Sequence, residues 1–241
     1  MDYNNRRLGL ICGKGFERAA CAGNVGILMG ADPEDHHGAT ASAEELPVEH
    51  ARSFGGERSV LYISRWGHEF RRDSRRRSDH GKIDYGKIES VLRASGINVI
   101  VSTSSAASYS SDIPGGSLVV PRYYSSNGKT TEFDQELREM LLESGGTGLL
   151  DFGTYIRYRG QKNSKTLSSN RCLAGSSVPR EYKIAEKLGA VYACIALVTR
   201  NRKTGKQLDK TEVDDLTLVA ADALKGFVSR FTKSPEPAEK K

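Results

Sequence analysis

The stretch Val191 to Lys203, Val-Tyr-Ala-Cys-Ile-Ala-Leu-Val-Thr-Arg-Asn-Arg-Lys, limits what this chain can fold into more than any other. Its apolar and β-branched run lacks the alternation of a half-exposed strand and reads as a strand buried on both faces. Such strands belong to α/β sheets covered by helices on each side. The run stops at Thr199, and Arg200, Arg202 and Lys203 follow, grouped around Asn201. Open α/β sheets bind ligands beyond the carboxyl ends of parallel strands. Arg200, Asn201 and Arg202 are therefore expected at the rim of a ligand site.

Strand and helix patterns alternate along the rest of the chain. Strands are expected at Leu8 to Cys12, Val60 to Ser64, Ile97 to Val101, Ser117 to Val120 and Asp151 to Arg159. A helix is expected from Asp84 to Ala94, closed by Gly96. A second runs from Phe133 to Ser144, with Phe133, Leu137, Met140 and Leu141 on one face and Gly145-Gly146 at its end. A third spans Val178 to Leu188 and stops at Gly189. The last opens at Thr211 with a Thr-Glu-Val-Asp capping box. Ile113 to Gly116 is a turn, and Gly160 to Asn170 is a polar loop. The expected fold is α/β, a single domain over residues 8–233 with a central mixed β-sheet flanked by helices. Residues 1–7 read as a flexible N-terminus and 234–241 as a disordered tail.

Bulk composition narrows the partners. A chain of 241 residues, 37% hydrophobic, suffices for a sizeable core. A net charge of +6 favours anionic ligands without choosing among nucleotides, phosphate, nucleic acid and acidic proteins. No apolar run approaches the roughly 18 residues of a membrane span, and the N-terminus has no signal-peptide core, so a cytoplasmic protein is expected. Cys12, Cys21, Cys172 and Cys194 lack paired spacing, and His36-His37 beside Asp32, Glu34 and Asp35 has no second ligand cluster, so no metal is expected. Arg71 to His80 holds five arginines. It reads as a solvated surface loop or as a nucleic-acid contact. The second reading lacks any RRM, KH or zinc-finger signature, and no aromatics interleave the basic run for base stacking.

Four short segments share a chemical character. Gly13-Lys14-Gly15 follows the first strand and Arg65-Trp66-Gly67 the second. Ser102 to Ser105 end the third, and Ser176-Ser177-Val178-Pro179 open a helix. Together they offer cations, hydroxyls and backbone N–H groups, an inventory that suits inorganic phosphate or another small oxyanion. The other reading is that these are unrelated turns, since polar residues collect at strand ends.

In these segments the sequence resembles the trimeric purine nucleoside phosphorylase family, especially its methylthioadenosine phosphorylase branch. Ile11-Cys12-Gly13-Lys14-Gly15-Phe16 is similar to the family's first phosphate loop, with Lys14 where Thr or Ser usually stands. Phe54-Gly55-Gly56 resembles its Phe-Gly turn, and Arg65-Trp66-Gly67 its Arg-His-Gly. Asp84-Tyr85 stands where the family usually has Asn-Tyr. Val99 to Ala106 resembles Val-Ile-Val-Thr-Thr-Ala-Cys-Gly, and Pro114-Gly115 the Pro-Gly turn. Gly175-Ser176-Ser177-Val178-Pro179 is similar to Met-Thr-Thr-Val-Pro, and Tyr192 to Thr199 to the last strand. The resemblance implies a nucleoside phosphorylase-like fold, a homotrimer and phosphorolysis of a purine nucleoside. Phosphate is then a co-substrate and no cofactor is needed. It implies phosphate contacts at Lys14, Arg65, Trp66, Thr103, Ser104 and Ser176, and ribose or base contacts at Ser105, Gly175 and Ser177.

The resemblance stops at the base side. The branch carries Asp-Tyr-Asp after its last strand; this chain carries Arg200-Asn201-Arg202. A guanidinium cannot give up a proton near neutral pH, although it can donate charge-assisted hydrogen bonds to an anionic leaving group. Asn201 could serve the purine edge if the backbone register slipped by one residue. Tyr158-Arg159-Gly160-Gln161-Lys162 stands near the family's Glu-x-Pro-Arg-Phe, and Gly175 replaces the methionine under the ribose. Two functions are therefore expected alternatives: a divergent pentosyltransferase, or a catalytically inactive homologue that binds a ligand or pairs with an active paralogue.

Overall fold

The computed structural model describes residues 6–13, 16, 60–64, 83–126, 129–157 and 172–232. Among these, ten strands form one mixed sheet. They are β1 (Leu8–Cys12), β2 (Val60–Ser64), β3 (Val99–Ser108), β4 (Leu118–Val120), β5 (Tyr123–Ser126), β6 (Lys129–Glu132), β7 (Leu149–Asp151), β8 (Thr154–Arg157), β9 (Cys172–Gly175) and β10 (Val191–Asn201). Four α-helices accompany them: α1 (Tyr85–Ala94), α2 (Gln135–Gly145), α3 (Val178–Leu188) and α4 (Lys210–Thr232). The expected mixed sheet flanked by helices is the architecture found.

The centre of the sheet is parallel. β1 pairs with β2 and β3, and β3 pairs with β10, so these strands end at one edge. β4 joins β10 antiparallel and carries β7. The far end of β3 pairs antiparallel with β9, which leads through β8 and β5 to β6. Alternation sends successive side chains to opposite faces. Val99, Val101, Ala193, Ile195 and Leu197 meet Leu137 and Leu141 of α2 and the apolar stripe of α4. Ile100, Tyr192, Cys194, Ala196 and Val198 meet Ile88 and Leu92 of α1 and Val178, Ile184 and Ala185 of α3. This double coverage explains the unbroken apolar run of β10.

Caps fix the helix ends. Asp84 accepts from the Lys87 amide at 2.9 Å and Asp134 from the Leu137 amide at 2.8 Å, each relieving an orphan N–H of a first turn. Gly189 ends α3 at φ 64°, the left-handed conformation that costs glycine nothing. Arg7, assigned by the sequence to a flexible terminus, is held at the start of β3: its amide donates to Asn98 Oδ1 at 2.9 Å and Nη1 to the Ser95 carbonyl at 3.1 Å.

Several local expectations are corrected. The hydroxyl-rich segment after Val101 is not a strand terminus, because β3 continues to Ser108, in register with β10 on one side and at its end with β9 on the other. Asp151 to Arg159 is not one strand. Phe152-Gly153 breaks it, with Gly153 at φ 52°. Phe133 precedes α2 and packs among Tyr124, Tyr182 and Tyr192 rather than beside Leu137. The capping box of α4 is Asp209 with Glu212, each side chain accepting from the other's amide at 2.9 Å; Thr211 lies inside the helix. β5, β6 and β9 were not anticipated. The His36-His37 pair, the Arg71 to His80 run, the Gly160 to Asn170 loop and the C-terminal tail lie outside the described residues.

Candidate functional site

The shared carboxyl edge of β1, β3 and β10 gathers the described part of the expected site. The Gly13 amide donates to Thr103 Oγ1 at 3.2 Å, tying the first loop to the middle of β3. Thr103 is buried, with 1% of its surface exposed. It shares the β3 face of Val99 and Val101, whereas Ser102, Ser104 and Ala106 share the face of Ile100. Thr103 and Ser104 are adjacent in sequence, so their hydroxyls serve opposite faces and cannot grip one anion side by side. Ser105, on the Thr103 face, is exposed, as is Ser176 just beyond β9.

The Ser104 hydroxyl is engaged inside the protein. It meets Ser177 Oγ at 2.8 Å, Tyr155 Oη at 3.1 Å and the Ser105 carbonyl at 3.2 Å. One donor and two acceptor positions are all that a hydroxyl has, so these three partners saturate it. Ser177 stands at the N-cap of α3 but makes no side-chain cap bond there. Its hydroxyl goes to Ser104 instead. Gly175 is half-buried, and a Cβ built on it would fall 1.8 Å from Tyr155 Oη and 3.0 Å from the Ser105 carbonyl oxygen. Only glycine fits, because the tyrosine hydroxyl occupies the space a side chain would need. Ser104, Gly175 and Ser177 are thus brought together, with Tyr155 as a fourth member. Tyr155 lay within an expected strand, and nothing in its local pattern marked it.

The end of β10 contains a bulge. Val198 pairs with Ala106 and Arg200 with Ala107, so Thr199 is the extra residue. The shift gives Arg200 the face of Ala107, which is also that of Thr103 and Ser105, and gives Asn201 the face of Ser108. Arg200 donates through Nη2 to Gln207 Oε1, across the bridge between these two residues. Asn201 is fully buried. Its Nδ2 donates to the carbonyls of Ser110 at 2.8 Å and Ile113 at 2.7 Å, and its Oδ1 accepts from the amides of Lys203 at 2.8 Å and Thr204 at 2.9 Å. The bulge against β3 turns this amide inward onto backbone. Arg202 is exposed, with its amide on the Ser108 carbonyl at 2.8 Å.

Behind the edge runs a buried polar chain that the sequence did not announce. Ser102 Oγ lies 2.6 Å from Tyr192 Oη, which donates to Glu181 Oε2 at 3.2 Å. It ties the two central strands to the first turn of α3, where a carboxylate is favoured by the helix dipole. Burial pushes the Cys172 thiol up, as expected of an inert structural cysteine. Among the described residues no cluster of His, Cys, Asp or Glu could hold a metal ion. No described helix is long and apolar enough to cross a membrane. Lys14, Arg65 and Trp66 lie outside the described residues.

No protein-family model matches the chain, and no curated protein matches it in sequence. Solved structures do match it. A Ser-to-Thr variant of adenosine/methylthioadenosine phosphorylase from Schistosoma mansoni, in complex with methylthioadenosine, gives a TM-score of 0.63 at 15% identity, over 93% of this chain and 91% of that one. An Asn-to-Thr variant of the same enzyme in its apo form gives 0.64 at 14% identity, over 97% and 94%. Methylthioadenosine phosphorylase from Schistosoma mansoni in complex with adenine gives 0.60 at 15% identity, over 93% and 91%. At this level of identity the likeness establishes a nucleoside phosphorylase fold, carried over nearly the full length of both chains.

Proposed function

We propose that this protein is a divergent nucleoside phosphorylase-like pentosyltransferase, which cleaves the N-glycosidic bond of a purine-type nucleoside with phosphate. The observation that carries this reading is the placement of Gly13, Thr103, Ser105, Gly175, Ser176 and Arg200 at one edge of a nucleoside phosphorylase fold. In the reaction a phosphate oxygen bonds to C1′ as the bond from C1′ to the purine nitrogen breaks. The electron pair leaves with the base. Lys14, Arg65, Trp66, Thr103, Ser104 and Ser176 form the phosphate side, with Ser104 acting through its backbone because its hydroxyl is saturated. Ser105, Gly175 and Ser177 form the ribose side. Phosphate is the co-substrate, and the reaction as written needs no cofactor.

The base side works by electrostatics. Arg200 and Arg202 stabilise the departing base as an anion through charge-assisted hydrogen bonds, and solvent supplies the proton afterwards. Asn201 braces the turn that carries them. This arrangement favours bases that leave readily as anions. We assign the single catalytic domain to residues 8–233, expect a homotrimer in the cytoplasm, and expect neither a membrane nor a nucleic-acid partner. Light scattering on the purified protein tests the trimer. Incubating a nucleoside panel with and without phosphate tests the reaction: the expected result is base release that requires phosphate, and no release from any member overturns it.

A second reading is a catalytically inactive homologue that binds a nucleoside or pairs with an active paralogue in a mixed oligomer. The commitment of Arg200 to Gln207 and of Asn201 to four backbone groups favours it, since neither side chain is poised to act on a base. Glycosidic cleavage that disappears in Arg65→Ala would overturn this reading.

A further inference from the structure

Four residues from four elements meet behind the edge described above, and the chemistry proposed for that edge uses only part of what they do. Tyr155 is fully buried on β8, and its ring belongs to the core between the sheet and α3. Its hydroxyl reaches Ser104 of β3 at 3.1 Å, and Ser104 reaches Ser177 at the start of α3 at 2.8 Å. Gly175 of β9 lies so close that no side chain could stand there without expelling the tyrosine hydroxyl. Ser177 stands at the N-cap of α3, where its hydroxyl makes no cap bond and serves Ser104 instead.

We infer that Tyr155 is a positioning residue: through Ser104 and Ser177 its hydroxyl sets the spacing between the middle of β3 and the start of α3. Those two segments carry Thr103 and Ser176 of the phosphate side and Ser105 of the ribose side, so the spacing fixes where the phosphate sits. The inference rests on the proposed phosphorylase reading for its ligand, but the bridge itself has an independent readout. Removing the hydroxyl frees Ser104 to turn toward other partners and lets the N-terminus of α3 drift from the sheet. The ring, which fills the core, is retained in Tyr155→Phe, so the fold survives the change.

The test compares wild type, Tyr155→Phe, Ser177→Ala and Gly175→Ala with Asp209→Ala, which removes the α4 helix cap and leaves the hydroxyl bridge intact. Amide hydrogen exchange and calorimetric titration with inorganic phosphate are read on each. Exchange at Ser105 to Ala107 and Ser176 to Val178 is expected to rise in the first three variants and not in Asp209→Ala. Phosphate affinity is expected to fall roughly threefold to tenfold in Tyr155→Phe and Ser177→Ala, the weight of one hydrogen bond. It is expected to hold in Asp209→Ala. Unchanged exchange in both Tyr155→Phe and Ser177→Ala overturns the inference, as does an equal loss of phosphate affinity in Asp209→Ala. If wild type binds no phosphate, the phosphorylase reading fails, and the exchange pattern alone decides whether Tyr155 sets the spacing.

Discussion

Asn201 shows how far a side chain's identity can be settled by its neighbours. Two carbonyls face its amide nitrogen and two amides face its oxygen, so only a group with both donors and acceptors fits. Asn201→Asp would set a carboxylate oxygen against the Ser110 and Ile113 carbonyls. It is expected to destabilise the protein by about 2–4 kcal/mol, read by denaturant unfolding, with no gain of base-cleaving activity. Asp151 plays a similar part between two arginines. Arg138, 4% exposed, donates to it through Nη2 and also to the Pro121 carbonyl at 3.1 Å, while Arg122 donates to its other oxygen at 2.5 Å. Asp151→Asn weakens the pairing of the buried Arg138 guanidinium and is expected to cost about 1–2 kcal/mol, seen as a lowered Tm. Neither commitment was visible in the sequence. Both depend on carbonyls and charges that are brought together only by folding.

At the scale of elements, legibility followed the strength of local signals. Each of the four described α-helices was found within a few residues of its expected position, because apolar spacing and terminal Asp or Gly residues act within a single turn. Strands buried on both faces were equally readable. β6, Lys-Thr-Thr-Glu, has no apolar signal, and β9 is only four residues long; both exist because a neighbouring strand offers them a ladder. The same logic lengthened β3 through Ser102 to Ser108. At the start of α4 two capping boxes competed, Asp209 with Glu212 and Thr211 with Asp214, and the earlier one holds. Asp209→Ala is expected to lower stability by about 1 kcal/mol, whereas Thr211→Ala should be nearly silent, a contrast that thermal melts can read. Of the candidate site, the pairing of the first loop with the hydroxyl segment, seen as Gly13 on Thr103, was legible from the order of motifs. Its interior wiring was not, because the pairing of Ser104 with Tyr155 and Ser177 joins segments 51 and 73 residues away in the chain.

For the whole molecule, the balance of charge predicts how it responds to acid. Burial alone would raise the Asp151 carboxyl, but the hydrogen bond from Arg122 and the charges of Arg138 and Arg122 outweigh it and hold the group below its ordinary value. An unfolded chain therefore takes up this proton at higher pH than the native one. The stabilisation is complete above the ordinary value of 3.8 and is lost as pH falls through the lower native value. Tm should decline below about pH 5, and Asp151→Asn should flatten that decline. The bulge at Thr199 has a consequence of a different kind. It acts as a phase shift in the side-chain code of the last strand, so that counting residues from Val198 assigns the wrong side to everything that follows. Deleting Thr199 would remove the extra residue and leave Arg200 opposite Ala107 and Asn201 opposite Ser108, each on its present side. A regular ladder that kept Thr199 would instead reverse them, driving the guanidinium of Arg200 toward the interior and delivering the amide of Asn201 to the surface.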